Sequence, residues 1–429
     1  MLGSRAGRQT AGVTTEPDSP AADVSAPATD PSATAGRWRT LWTPSRARLW
    51  LIAAVVAAWL PALGMPLRDW LDFSAFYAAG SLAFTSELTE LAAITGFQEA
   101  AGLPITPFVY PAGMALPYAP LSALPYGSAA AVHLVLMLGA LAGAALVWAA
   151  LGSLPTLPRR WFVLGALAWG PAAAGVISGQ NTSVALLLAV TVAWALASNR
   201  QVLAGFAAGL LAYKPQLGAP MMGLLLLRTR WTALIVSVAV LGLHYLAGVL
   251  ATGGAFDWPV AWLQTVTDYQ EADFVANGWQ SISLPSFGRQ LEILIGVPGL
   301  TGVGYVIAGV ILLACLPAMR RLPAPESLAL AAACGLLISP HAWVYDATLL
   351  LPALAVMAAR AQRRGWPWQD RWWLAAAYII ALTWPVGGAL GFTLVPLLVL
   401  AAPFALLERG PFRPTVEPTA IAPAATPAS

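Results

Sequence analysis

The sequence predicts an all-α polytopic membrane protein, and its composition, its apolar segments and the placement of its charges support that class. Of the 429 residues, 59% are hydrophobic and 10% are charged, whereas soluble proteins carry about 25% charged residues. The mean hydropathy is +0.71. So few charges cannot cover a soluble surface, which excludes a cytosolic enzyme, a nucleic-acid-binding protein and a disordered scaffold.

Apolar segments recur along the chain and predict roughly 10 to 12 membrane helices. We expect a membrane domain at 37–408, between Ala- and Pro-rich tails at 1–36 and 409–429 that are too polar to fold. The apolar segments lie at 49–65, 129–152, 161–177, 183–198, 201–213, 215–227, 231–250, 293–318, 325–339, 343–359, 372–386 and 390–407.

Arginines mark alternate loops and so predict the orientation of the chain. They precede the first apolar segment and recur in later loops, for example at Arg159, Arg200 and Arg228. By the positive-inside rule these loops and both tails are cytoplasmic. The first long loop (68–128) and the second long loop (251–290) carry acidic residues instead, and we expect both outside the cytoplasm.

Only residues 201–227 separate Arg200 from Arg228, although both arginines are assigned to the cytoplasm. Two half-length helices that dip into the membrane and return would fit, with their turn at Tyr213-Lys214-Pro215, where proline blocks a continuous helix. Two short full spans are the alternative. Either arrangement places Lys214 toward the outer half of the membrane.

Ionisable groups beside membrane helices are costly to hold there and are therefore candidates for function. Asp72 follows the first segment among aromatic residues, where it is a candidate catalytic base or, alternatively, a cap of a short interfacial helix that Asp69 would begin. Further along this loop, prolines at 107–121 predict turns instead of a long helix. Tyr110 lies there as a candidate sugar or prenyl contact, or as an interfacial anchor.

Two short polar turns supply further candidates. Gln180 and Asn181 lie between apolar segments, where they could bind substrate, or where Asn181 could cap the next helix. Lys214, followed by Pro215 and Gln216, must pair with an acid, reach the interface or hold an anionic ligand. A lysine ammonium suits a lipid phosphate, and we weigh that role above a structural salt bridge.

His341 begins another outer turn, Ser339-Pro340-His341, where it could donate to phosphate oxygens or satisfy a local hydrogen bond. We expect Asp346 about one and a half turns further into the following span. Arg289, in the second long loop, is a weaker candidate for phosphate binding. His133 and His244 lie in apolar segments and are interpreted as structural. No acidic cluster demands a divalent ion, so neither a metal nor a cofactor is predicted.

In order, these motifs resemble the polyprenyl-phosphate-dependent glycosyltransferases of family 87, the DUF2029 group, which have the GT-C fold. The resemblance covers about residues 50–405 and depends on the following sequence pieces: Asp72-Phe73-Ser74-Ala75-Phe76-Tyr77-Ala78-Ala79-Gly80, Phe108-Val109-Tyr110-Pro111, Gly179-Gln180-Asn181, Lys214-Pro215-Gln216 and Ser339-Pro340-His341.

The resemblance implies an inverting transfer of a hexose, by analogy mannose, from a polyprenyl-phosphate sugar to a glycan or glycolipid acceptor at the outer face of the cell membrane. It also implies that Asp72 is the general base and that His341 lies at the active site. Trp343-Val344-Tyr345-Asp346 departs from the family pattern, where a more basic continuation is expected. The alternatives are a secondary transporter or flippase of a lipid-linked sugar, and a non-catalytic membrane scaffold.

Overall fold

The computed structural model describes residues 44–64, 71–151 and 159–407. This part of the chain is 82% helical and contains no strand, which confirms the all-α class. Both predicted tails and Asp69 lie outside the described residues. The described residues from Trp50 onward belong to one compact unit, which contains every residue of the candidate site.

The α-helices are numbered in chain order. They are α1 Pro44–Trp59, α2 Leu71–Ser81, α3 Leu91–Ala100, α4 Ala119–Ser122, α5 Tyr126–Ala150, α6 Arg159–Leu167, α7 Gly170–Ile177, α8 Thr182–Ala197, α9 Gln201–Leu210, α10 Pro215–Leu227, α11 Trp231–Ala251, α12 Trp258–Asn277, α13 Leu284–Ile295, α14 Leu300–Arg321, α15 Ala324–Ile338, α16 Leu351–Arg363, α17 Trp368–Leu382, α18 Gly387–Leu390 and α19 Val395–Leu407. Short 3₁₀ helices lie at Leu60–Gly64, Ser86–Thr89, Ala112–Tyr118, Leu211–Tyr213, Gly278–Gln280, Val344–Leu350 and Trp384–Val386.

Several of these helices are apolar enough to cross a membrane, which confirms a polytopic membrane protein. Five helical stretches have the length of a span: Tyr126–Ala150, Trp231–Ala251, Leu300–Arg321, Val344–Arg363 and Trp368–Leu390. The described residues also contain six shorter apolar helices of 10–17 residues, as well as the bent pair α6 and α7.

The apolar segment predicted at 161–177 is not one straight helix. It bends by 63° between α6 and α7. Pro171 lies in the first turn of α7. Trp169, the residue that precedes α7, has extended backbone, φ −80° and ψ 109°. Proline cannot donate a backbone hydrogen bond to the preceding turn, so the helix ends and restarts in a new direction.

The chain turns at the predicted position in the segment between Arg200 and Arg228. Helix α9 continues as a 3₁₀ turn to Tyr213, Lys214 is non-helical at φ −115° and ψ 88°, and α10 restarts at Pro215. The 13 residues of α10 rise only about 20 Å, well short of the ~30 Å hydrocarbon core. This length favours the half-length arrangement over two full spans.

The first long loop folds around its own aromatic core. Phe73, Phe76, Phe108 and Tyr118 are buried together there, and the Phe76 and Tyr118 rings stack with centroids 4.7 Å apart. The Pro-rich segment contains only the 3₁₀ helix Ala112–Tyr118 and the single turn α4, which agrees with the prediction of turns. This core supports one side of α2 and thereby positions Asp72.

Candidate functional site

Asp72 lies in the first turn of α2, where it is half-buried against the turn between α7 and α8. Its backbone N–H donates to the Ser178 carbonyl at 3.0 Å. The Ser178 and Gln180 side chains lie close enough to its carboxylate to favour the ionised form. The first long loop is thereby joined to a polar turn more than 100 residues later in the chain.

Gly179 permits this close approach. It has φ +81°, a conformation that side chains other than glycine rarely adopt. A Cβ atom at this position would lie 2.6 Å from the Cβ atom of Phe73. Glycine therefore lets the turn sit directly against α2, beside the Asp72 carboxylate.

Gln180 connects Asp72 to a buried lysine. Its Oε1 accepts from the Tyr110 hydroxyl at 2.6 Å and from Lys214 Nζ at 3.4 Å. Because an amide oxygen only accepts hydrogen bonds, the NH₂ of Gln180 is the group that can stabilise the Asp72 carboxylate. One amide thus contacts a carboxylate on one side and a cation on the other.

Lys214 is 2% exposed and, besides Gln180, contacts a carboxylate and two aromatic rings. Its ammonium lies 3.2 Å from Asp346 Oδ1, and it lies 5.7 Å and 5.2 Å from the ring centroids of Tyr110 and Tyr345. Cation–π attraction at these distances adds to the ion pair. The salt bridge, which the sequence analysis ranked below phosphate binding, is therefore present in the structure.

Asp346 is not one and a half turns into a span, as the sequence analysis expected. Residues 339–343 are non-helical because Ser339 before Pro340 has extended backbone, φ −57° and ψ 134°. The 3₁₀ helix begins only at Val344, so Asp346 lies in its first turn. Asp346 Oδ2 accepts from the Trp343 N–H at 3.2 Å, which leaves Oδ1 for Lys214.

His341 lies beside a carboxylate of the second long loop. Its Nδ1 is 3.6 Å from Asp273 Oδ2, an ion-pair distance when the imidazole is protonated. Asp273 is on α12 and its other oxygen accepts from Asn277 Nδ2 at 2.8 Å. The His341 ring also packs edge-on against Trp343, with centroids 4.5 Å apart.

Burial and neighbouring charges set the proton affinity of this site. Burial raises the pKa of Asp72 to about 6, while hydrogen bonds from Ser178 and Gln180 and the charge of Lys214 lower it and the charge of Asp273 raises it. Burial lowers the pKa of His341, and the nearby carboxylates oppose that effect. A carboxyl with a pKa near neutrality is suited to accept a proton during a reaction.

The structure brings together Asp72, Tyr110, Gln180 and Lys214, with His341 at the Asp273 side of the same group of charges. We call these residues, with Asp273, Tyr345 and Asp346, the charged cluster.

The other predicted residues lie outside these contacts. Asn181 precedes α8 without a side-chain cap, and its carbonyl accepts from the Tyr213 hydroxyl at 2.9 Å. Gln216 is half-buried in the first turn of α10. Arg289 is 40% exposed and pairs with Glu271 and Glu292. Within the described residues, neither Gln216 nor Arg289 makes a side-chain contact to the charged cluster.

Sequence reasoning missed two members of the charged cluster, Asp273 and Tyr345. Asp273 is one of several acids in the second long loop, and only the contact of α12 with His341 distinguishes it. Tyr345 stands next to Asp346, within the segment that departs from the family pattern. His133, interpreted as structural, is 1% exposed and lies outside the charged cluster, with its ring centroid 4.9 Å from that of Phe73. For Tyr345, the one available signal in the sequence was its position next to Asp346.

Comparison with known proteins gives one family. The family model described as glycosyltransferase family 87 matches residues 108–340, which confirms the resemblance drawn from the motifs. The matched region contains Tyr110, Gln180, Lys214 and Asp273, whereas Asp72 and His341 lie outside it. No curated protein and no solved structure matches the chain significantly.

Proposed function

The chain belongs to glycosyltransferase family 87, and from this premise we propose that it moves a hexose from a polyprenyl-phosphate donor to an acceptor hydroxyl. Mannose is the proposed sugar, and a glycan or glycolipid is the proposed acceptor. The reaction would invert the configuration of the anomeric carbon. We propose that the site faces the extracytoplasmic side of the cell membrane, where the acidic long loops are expected.

The observation that carries the proposal is the contact chain from Asp72 through Gln180 to Lys214. A transfer from a sugar phosphate needs a base near the acceptor hydroxyl and positive charge near the leaving phosphate. Asp72 supplies a carboxylate with a pKa of about 6. Lys214 supplies a buried cation, and both groups contact the same amide.

The transfer is a single displacement. The acceptor oxygen forms a bond to the anomeric carbon while the bond from that carbon to the phosphate oxygen breaks. The acceptor proton passes to the Asp72 carboxylate, and the electron pair leaves with the polyprenyl phosphate. Lys214 and protonated His341 stabilise the charge that develops on the phosphate.

Lys214 retains a donor for this role although it is paired. An ammonium has three N–H donors, and Gln180 and Asp346 accept from Lys214 in the structure. The third N–H is available to a phosphate oxygen. Asp346 would then hold the ammonium in place while the phosphate binds, so the salt bridge and phosphate binding are compatible.

The test is turnover by the purified protein in detergent, with a labelled polyprenyl-phosphate hexose and a glycolipid acceptor. Wild-type protein should form glycosylated product of inverted anomeric configuration, and Asp72→Asn should not. Asp268→Asn is a matched control, because Asp268 is an exposed carboxylate on α12. Near-normal turnover by a folded Asp72→Asn protein would remove Asp72 from the mechanism.

The same experiment distinguishes a glycosyltransferase from a transporter of a lipid-linked sugar. A transporter needs two compartments and forms no new glycosidic bond, so it would yield no product in detergent. The broken helices beside Lys214 are the feature that a transporter would share. Movement of the donor across vesicles without product formation would favour that alternative.

A further inference from the structure

Asp273 takes no direct part in the proposed transfer, although its carboxylate is nearly buried and lies beside His341. Its side chain is 9% exposed, whereas Asp268 and Glu271 on the same helix are exposed. A buried carboxylate is unfavourable unless it is paired. The partners present are Asn277 and His341.

The local structure fixes both members of this pair. Asn277, one turn further along α12, donates to Asp273 Oδ1 and leaves Oδ2 toward the imidazole. On the other side, the Ile282 N–H donates to the Ala342 carbonyl at 3.0 Å, and Ser281 forms a β-bridge with Trp343. The segments that carry the acid and the histidine are therefore joined through their backbones.

We infer that Asp273 is a positioning residue for the transfer: its carboxylate holds Nδ1 of the His341 imidazolium, so that Nε2–H is left to donate to the departing phosphate. This inference rests on the proposed function. An imidazole whose Nδ1–H faces a carboxylate can donate from Nε2 only when it is protonated. Asp273 favours that protonated form because it places a negative charge beside the ring.

Asp273 also acts on the base at the other end of the charged cluster. Its negative charge raises the pKa of Asp72, while Lys214 lowers it. For His341, the charges of Asp273 and Asp346 raise the pKa and that of Lys214 lowers it. Removal of the Asp273 charge should therefore lower the pKa of both groups together.

The test is the pH dependence of turnover for Asp273→Asn, with Asp268→Asn as the matched control on the same helix. We expect kcat for Asp273→Asn to fall by about 10- to 10²-fold, with a smaller change in KM. The acid and alkaline limbs of the pH profile should both move to lower pH, because both groups lose a negative neighbour. Asp268→Asn should match wild type in rate and in profile.

A change that only loosened the fold would lower the rate without moving the limbs, and that result would overturn the inference. If Asp273→Asn does not fold, Asp273→Glu keeps the charge at a displaced position. It should lower kcat and leave the limbs near those of wild type, and an unchanged kcat would overturn the inference.

Combination with His341→Gln gives an independent check. The double variant should be no slower than His341→Gln alone, since a positioning residue has no effect without the group that it positions. A further loss in the double variant would contradict the inference. Turnover by Asp72→Asn separates the two proposals: activity there overturns the proposed function, whereas an inactive Asp72→Asn beside a fully active Asp273→Asn overturns this inference alone.

Discussion

Asp72 should impose an acid limb on the reaction at an unusually high pH. An ordinary aspartate has a pKa of about 3.9, but burial raises the pKa of Asp72 to about 6. The ionised fraction then falls from about nine-tenths at pH 7 to about one-tenth at pH 5. Because only the carboxylate accepts the acceptor proton, kcat/KM should fall about tenfold over this interval.

The assay is initial-rate kinetics in detergent micelles between pH 4.5 and 8 at constant ionic strength. The kcat/KM profile reports groups of the free enzyme, which is the state that the structure describes. His341 gains a proton as the pH falls, so it cannot produce a loss of rate at low pH. An acid limb with its midpoint below pH 5 would contradict the assignment of a desolvated Asp72.

Asp72→Asn should lower kcat by about 10² to 10⁴-fold, which is about 3 to 5 kcal/mol of transition-state stabilisation. It should also flatten the acid limb. Because burial raises the pKa of Asp72, its protonated form stabilises the folded protein at low pH. This stabilisation is lost as the pH rises through about 6. Asparagine keeps that stability, and the variant should melt no lower than wild type at pH 7. An acid limb that persists in Asp72→Asn would refute the reasoning.

Three further changes test two buried ion pairs and one close backbone approach. Lys214→Met should destabilise the protein by about 3 to 5 kcal/mol, because Asp346 would stay buried without its cation. Thermal unfolding should show that adding Asp346→Asn restores part of this stability, and an equal loss of stability in the single and double variants would contradict the pairing. Arg360→Met should cost a similar amount and be relieved by Glu326→Gln, since that pair is also buried at 2.6 Å; a melting temperature equal to that of wild type would show that the pair is not formed. Gly179→Ala should lower kcat, and it should lower the free energy of unfolding by about 1 to 3 kcal/mol, measured by thermal unfolding. Normal activity of this variant would show that the turn does not approach α2 as closely as described.

Local features of the sequence were sufficient to predict most of the fold. Apolar composition predicted helices, and Pro215 predicted the break that places Lys214 at a turn. The same reasoning did not predict the 63° bend between α6 and α7, because the apolar segment continues through Pro171 without interruption. Periodicity reports which residues are apolar, but not whether their helix is straight.

The candidate residues of the site were predictable individually, but their partners were not. Lys214 was expected to hold an anionic ligand, with an acid partner as the alternative, and the acid it pairs with is Asp346, 132 positions away. His341 faces Asp273 from another loop. Such pairs depend on how distant helices pack, and no local spacing encodes them. The charge of Arg289 suggested phosphate binding, and in the structure Arg289 pairs with the nearby Glu271 and Glu292.

The central claim is that Asp72, Lys214 and His341 surround one donor phosphate and its sugar. The most direct measurement is an experimental structure of Asp72→Asn with a polyprenyl-phosphate hexose bound. The account predicts phosphate oxygens within hydrogen-bond distance of Lys214 Nζ and His341 Nε2, with the anomeric carbon between the phosphate and residue 72. A donor whose phosphate contacts neither cation would contradict it.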